Sequence, residues 1–226
     1  MKNHIPISSK VFIVCCLVFA LVGGACLFLF SKGELLLHLN SLASEPWDGF
    51  FQLYTHLGLG GLLGILSVVF LFIRYYYSIL FASALVCAGI FTFLLKQVIF
   101  NGMPRPASYL GTEAFYHVIE GFKYHHSGSF PSGHTMTAFA GAFAFSIVLK
   151  KGYWGVVTFF IALLVGVSRV YLCQHFFMDI FVGALIGTAY TYLLHYFLGY
   201  RLNWAYKPKL NSNLPSYFKQ RKLKLG

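Results

Sequence analysis

Apolar residues in this chain come in blocks of bilayer-spanning length, separated by short polar breaks. Residues 11–30 carry no charge and follow Lys2 and Lys10. That run exceeds the roughly 7–15 apolar residues of a signal-peptide core, so it reads as a retained first span. Residues 31–55 form a loop with an amphipathic middle, Leu35-Leu36-Leu37-His38-Leu39. The loop ends in Glu45-Pro46-Trp47-Asp48, where an interfacial helix is expected. A second span is predicted over 56–73, with Gly58, Gly60, Gly61 and Gly64 permitting close helix contact. The third covers 78–95 and stops at Lys96. Residues 97–130 are the longest polar stretch, and Pro104-Arg105-Pro106 with four glycines predicts loop rather than regular helix. A short fourth span over 135–149 stops at Lys150-Lys151. The run 153–198 is 46 residues long with one polar break at 169–175, enough for two spans of about 20 residues each. The pattern predicts an all-α, polytopic bundle of six transmembrane helices over residues 1–200, followed by a basic tail over 201–226.

Composition agrees: 58% of the 226 residues are hydrophobic and 10% are charged, against about 25% charged in soluble domains. The formal charge of +11 would suit a nucleic-acid partner, but its distribution does not. Seven of the 17 Lys and Arg follow Tyr200, and no acid does, as expected of a cytoplasmic membrane flank. Six spans alternate sides. One side then holds Lys2, Lys10, Arg74, Lys150, Lys151 and the seven tail cations, with no acid. The other holds five cations (Lys32, Lys96, Arg105, Lys123, Arg169) and all six acids. The excess of positive charge inside predicts that both termini are cytoplasmic. Cys15, Cys16, Cys26, Cys87 and Cys173 all lie in apolar runs with no disulfide or metal spacing, and read as packing residues.

The same topology brings the polar residues of interest to the outer face. His175 and Asp179 are four apart and share a helix face. The carboxylate can fix one imidazole nitrogen and leave the other free as a nucleophile; taken alone, the pair also reads as a buried histidine satisfied by a neighbour. Pro131-Ser132-Gly133-His134 precedes the fourth span. Serine suits a helix cap, and the free amides beyond it form an anion site that Gly133 lets a ligand approach. His134 is placed to protonate a departing oxygen, although the motif alone reads as a well-capped helix. Arg105 and Arg169 carry guanidinium groups that fork onto phosphate oxygens, and Lys96 adds a point charge. Each alone could be an interfacial anchor. Together, three cations, a helix N-terminus, a His–Asp pair and a second histidine describe phosphoryl transfer. His117, His125 and His126 lie in the 97–130 loop without metal-ligand spacing, so no metal site is expected.

These motifs resemble those of the type 2 phosphatidic acid phosphatase superfamily, which includes lipid phosphatases and vanadium haloperoxidases. Its signature is a lysine, a short gap and Arg-Pro; then Pro-Ser-Gly-His; then Ser-Arg, five residues, His, three residues, Asp. The second part stands unaltered at Pro131 to His134, and the third at Ser168-Arg169, His175 and Asp179. The first is Lys96 and Arg105-Pro106, with eight residues between Lys96 and Arg105 where the family usually has six. The resemblance implies a phosphohistidine on His175 oriented by Asp179, with His134 as general acid and then base. It implies phosphate binding by Lys96, Arg105, Ser132, Gly133 and Arg169, with no metal or other cofactor. A haloperoxidase would need a soluble helical body that this chain lacks.

The expected function is hydrolysis of a phosphate monoester or diphosphate of a membrane lipid at the outer face. The His- and Tyr-rich stretch 109–130 favours a large headgroup, lipid A phosphate or undecaprenyl diphosphate, over phosphatidylglycerol phosphate or phosphatidic acid. The setting would be a bacterial inner membrane with a periplasmic site, the lipid and the membrane as partners, and no obligate protein partner. One alternative is a phosphotransferase passing the phosphate to an acceptor lipid. Another, of a different class, is an anionic-lipid transporter without chemistry, for which the paired histidines would be superfluous.

Overall fold

The structure, a computed structural model, describes residues 5–225; Lys2 of the charge count lies outside them. The described residues are helical apart from turns, loops and one isolated bridge between Pro104 and Ser127. Helix α1 is Ile7–Leu29. The loop after it is two short helices, α2 (Glu34–Ser41) and α3 (Glu45–Tyr54), the second opening with Pro46 in its first turn, where a missing N–H costs nothing. A 3₁₀ turn, Thr55–Gly58, joins α3 to α4 (Gly60–Leu71), and the two helices are bent by 54° at the break. The second span therefore begins inside a bend rather than at His56. Helix α5 (Tyr75–Phe93) continues as a π-helix, Leu94–Ile99. The predicted 97–130 loop thus starts inside that π-helix, and beyond it holds a five-residue helix, α6 (Pro106–Leu110), and a 3₁₀ turn. Then follow α7 (Gly133–Leu149), α8 (Gly152–Tyr171) and α9 (Phe177–Leu194), with a π-helical extension His195–Arg201. The tail carries α10 (Leu214–Leu225).

Four helical stretches are long and apolar enough to cross a membrane: Ile7–Leu29, Tyr75–Ile99, Gly152–Tyr171 and Phe177–Arg201. The bent pair α3–α4 makes a fifth if it counts as one span. Helix α7 is 17 residues, about 26 Å at 1.5 Å per residue. It is apolar on every side and packs against α1, α4, α5, α8 and α9, as a helix at the centre of a bundle must. Phe139 and Phe143 on α7 meet Phe12 of α1 edge to face, at centroid separations of 6.2 and 5.5 Å. Polar glue is sparse but specific: Ser146 on α7 donates to Ser9 of α1 at 3.0 Å.

The crossing of α7 and α9 positions the chemistry, and two glycines set its closeness. A methyl group on Gly183 would lie 2.8 Å from the Ser132 carbonyl, and one on Gly187 would overlap the Met136 carbonyl. Backbone meets backbone there, so the start of α7 lies directly against the start of α9. Gly187→Ala should cost about 1–3 kcal/mol, the usual penalty of overpacking. Thermal unfolding in detergent checks this, and an unchanged midpoint would refute the close crossing.

Candidate functional site

Asp179 is the third residue of α9, and its Oδ2 accepts the Phe176 N–H at 3.0 Å, as a first-turn acid does. The same oxygen accepts His175 Nδ1–H at 3.1 Å and the Ser129 hydroxyl. His175 and Asp179 are 1% and 4% exposed, so those donors are what makes a buried carboxylate tolerable. His175 Nε2 makes no hydrogen bond among the described residues, and His175 lines a cavity. His175 sits in the turn between α8 and α9, where its N–H and that of Gln174 both donate to the Arg169 carbonyl. Burial, reinforced by the nearby charges of Arg105, Lys96 and Arg169, pushes its pKa well below the ordinary imidazole value.

Ser132 caps α7: its hydroxyl accepts from Thr135 Oγ1–H at 2.9 Å, while its own N–H donates to the Asp179 carbonyl at 3.0 Å. The amides of Gly133 and His134 point out of the first turn with no partner inside the helix. Arg169, two residues before the end of α8, is 7% exposed. Its Nη1 donates to Thr55 at 2.9 Å, and its Nε is buried with no partner among the described residues. Such a donor invites an oxygen ligand.

Arg105 is held by carbonyls rather than acids. Its Nε donates to Ser127 O at 2.9 Å, and Nη1 donates to both the carbonyl and the side-chain oxygen of Gln174 at 3.1 and 3.0 Å. Lys96 lies in the π-helical end of α5, and its ammonium donates to Gly128 O at 2.7 Å. The wider π turn brings Lys96 to the same cavity as Arg105, His134 and His175, despite its longer spacing from Arg105. All eight residues named from the sequence thus converge where α5, α7, α8 and α9 meet.

Two cavities meet at His134. One, of about 570 Å³, is lined by Leu59 ahead of α4 and by Leu85, Ala88 and Phe93 of α5, together with Lys96 and His175. The other, of about 490 Å³, is polar, lined by Gln52, Glu120, Lys123, His125 and Arg169. A third cavity of about 280 Å³, between α4, α7 and α8, is almost wholly apolar and carries no group for phosphoryl transfer.

Four supporting residues were not singled out from sequence: Ser129, Thr55, Gln174 and Asp48. Gln174 joins Arg105 to the loop, because its Nε2 donates to Lys123 O at 3.1 Å. Its only signal is a position beside His175. Asp48 of α3 accepts from His117 at 2.9 Å and from the Tyr171 hydroxyl at 2.7 Å, tying the loop to the end of α8. The loop histidines serve separate partners, since His126 pairs with Ser108 at 3.2 Å and His125 lines the polar cavity. Among the described residues no three His, Cys, Asp or Glu side chains are grouped to hold a metal.

A family model described as the PAP2 superfamily matches residues 75–203. No curated protein sequence matches the chain. The crystal structure of Aquifex aeolicus LpxE is 31% identical over 73% of this chain and 94% of that one, with a TM-score of 0.63. The crystal structure of the first transmembrane PAP2-type phosphatidylglycerolphosphate phosphatase from Bacillus subtilis is 23% identical. It covers 86% of this chain and 97% of that one at a TM-score of 0.58, a likeness of fold.

Two expectations arise from the geometry. A nucleophilic His175 must be neutral, and a lowered pKa keeps it neutral further into acid. The acid limb of kcat/KM should therefore lie below pH 6.5, and a limb above 7 would contradict the buried setting. Gln174→Leu keeps the volume but removes one acceptor of Arg105 and the tie to the loop at Lys123. KM should rise about tenfold, the scale of a hydrogen bond to a charged group, with a smaller change in kcat.

Proposed function

Because the chain belongs to the PAP2 superfamily and is a phosphoric ester hydrolase of the membrane lipid phosphatase type, we propose that it removes a phosphate from a membrane lipid at His175. The observation that carries this reading is the meeting of two unlike cavities at His134. The apolar-walled one lies between membrane helices and suits a lipid that never leaves the bilayer. The polar one suits its headgroup and the incoming water.

The steps follow from the atoms present. Lys96, Arg105, Arg169 and the first amides of α7 hold the phosphate oxygens, with Ser132 fixing that helix end. His175 Nε2 attacks phosphorus while Asp179 accepts from Nδ1–H and steadies the positive charge that develops. The bond from phosphorus to the lipid oxygen breaks, and protonated His134 gives that oxygen its proton. His134, now neutral, takes a proton from water, whose oxygen attacks phosphorus; the P–N bond breaks and His175 leaves neutral. Charge is neutralised by protein cations throughout, so this route needs no metal.

The substrate we favour is a lipid A phosphate or undecaprenyl diphosphate, ahead of phosphatidylglycerol phosphate and phosphatidic acid. Support comes from the polar cavity, where Gln52, Glu120, Lys123 and His125 offer donors and acceptors to a large polar headgroup. For topology we propose six crossings, counting the bent α3–α4 pair and the 17-residue α7. Residues 1–200 would be the membrane domain and 201–226 a cytoplasmic basic tail. Both termini would be cytoplasmic and the site periplasmic, on the bacterial inner membrane. The support is the charge count of twelve cations against none on one side.

The test is phosphate release, with chelator present, by purified wild type and His175→Ala from a panel of these lipids, together with acid-labile phosphate on the wild-type protein. Release and labelling by wild type alone are expected. Activity in His175→Ala would overturn the nucleophile, and chelator loss reversed by divalent metal would overturn the metal-free route. Labelling without release, relieved by an acceptor lipid, would make the protein a phosphotransferase. Asp179→Asn should lower kcat by about 10³-fold or more, through the wrong tautomer and a lost charge.

A further inference from the structure

Arg74, Lys150, Tyr76 and His195 lie at the end of the bundle remote from His175, where α5 begins and α7 and α9 end. Gly133 and Leu149 are separated by the whole length of α7, about 26 Å. Here the chain builds a further cavity, of about 360 Å³, whose lining includes these four residues, Tyr200 and Tyr206 alongside Ile7 and Ile147. The phosphatase chemistry uses none of them.

Three independent features indicate a ligand. First, Tyr76 and His195 are 1% and 4% exposed and joined by a 2.7 Å hydrogen bond between the Tyr76 hydroxyl and His195 Nδ1. His195 Nε2 is buried with no partner among the described residues, as is Arg74 Nε. Unpartnered buried donors at one cavity are a cost that a bound acceptor would relieve. Second, Lys150 stands at the end of α7 with φ of +60°, a backbone region where glycine is the usual residue. Its exposed side chain makes no hydrogen bond or ion pair among the described residues, so its charge is available to a ligand. Third, no acid balances these cations. Arg74 spends its other nitrogens on the Tyr77 hydroxyl at 3.0 Å and on the Ala205 carbonyl, and the only ion pairs among the described residues involve His117 and His175.

We propose that this cavity binds the phosphate of an anionic lipid headgroup in the leaflet opposite the catalytic site. Tyr76 donates its hydroxyl proton to His195 Nδ1, so His195 Nε2–H, Arg74 Nε–H and the Lys150 ammonium converge on phosphate oxygens, and Tyr200 and Tyr206 flank the headgroup. A phosphodiester suits it, because recognition is by donors alone and no nucleophile or general acid is present. The segment 202–212 is part of the site, held to the start of α5 by Tyr76 N–H to Leu210 O and Tyr75 N–H to Ser212 O, both at 3.0 Å.

Native mass spectrometry of the full chain, titrated with phosphatidylglycerol, phosphatidylcholine or glycerol 3-phosphate, tests the proposal. Phosphatidylglycerol is a diester, and the catalytic clamp is unaltered in every variant, so binding there is a constant background. Wild type should retain phosphatidylglycerol at least tenfold more tightly than phosphatidylcholine. Lys150→Asn, which tolerates the backbone geometry without the charge, and Arg74→Gln should each remove most of that preference. Lys150→Asn should keep phosphatase activity and the unfolding temperature, which separates lost binding from lost folding. Equal retention by wild type and Lys150→Asn would overturn the proposal. Glycerol 3-phosphate displacing the lipid at similar concentration would overturn the lipid assignment and leave a soluble phosphate ester as the ligand.

Discussion

A carboxylate buried in an apolar bundle must be surrounded by donors, and the arrangement around Asp179 follows from that constraint. Its Oδ2 collects a backbone amide, an imidazole N–H and a serine hydroxyl from three separate stretches of chain. Ser129 can reach it only because α7 and α9 start side by side, and they do so only because Gly183 and Gly187 let backbone touch backbone. Satisfying the carboxylate therefore fixes the tautomer of His175, the seat of the Ser132 cap and the turn between α8 and α9. Stability and chemistry rest on the same hydrogen bonds, as in preorganised sites generally.

The cations pose the opposite problem. Arg105, Arg169 and Lys96 stand near one another, with Asp179 beside Lys96 and Arg105 and Glu120 on the wall of the Arg169 cavity, and their repulsion must be held in check. The chain offsets it with oxygen dipoles instead of charges: Ser127, Gly128 and Gln174 for Arg105, Gly128 for Lys96, Thr55 for Arg169. Neutral acceptors orient a cation without cancelling it. A phosphate arriving among them meets nearly the full positive field, in a low-dielectric setting where that field acts strongly.

Much of this was legible in the chain, for identifiable reasons. Helices at membrane depth must satisfy their own backbone, so uncharged runs marked the helices Ile7–Leu29, Tyr75–Phe93, Gly152–Tyr171 and Phe177–Leu194 to within a few residues. The four-residue spacing of His175 and Asp179 predicted their contact but not its form: His175 lies in the turn before α9, and Asp179 in the first turn of α9 reaches back to it rather than sharing a helix face with it. The bend ahead of α4 was legible only as a boundary: Thr55, His56 and Gly58 interrupt the apolar run there, but those residue types do not set the 54° angle between α3 and α4. Nor was the π turn that carries Lys96 round to Arg105: a π turn changes the angular position of a residue without any required residue type. Ser129, Thr55 and Gln174 act through tertiary contacts with residues 50, 114 and 69 positions away. No local periodicity encodes such contacts.

The two ends of the bundle treat charge in contrasting ways. At the catalytic end every acid is present, yet the clamp cations are held mostly by neutral oxygens. At the opposite end the acids are missing altogether, while Arg74 and His195 keep buried donors unpaired. A membrane helix end needs cations for orientation, and exposed lysines at the interface would serve that purpose alone. Burying His195 and the Arg74 Nε at a cavity goes further than orientation requires, because an exposed cation carries no unsatisfied donor. The difference between a charge that anchors and a charge that binds is visible in its burial: the anchor keeps its water, and the binder has exchanged water for a shaped space.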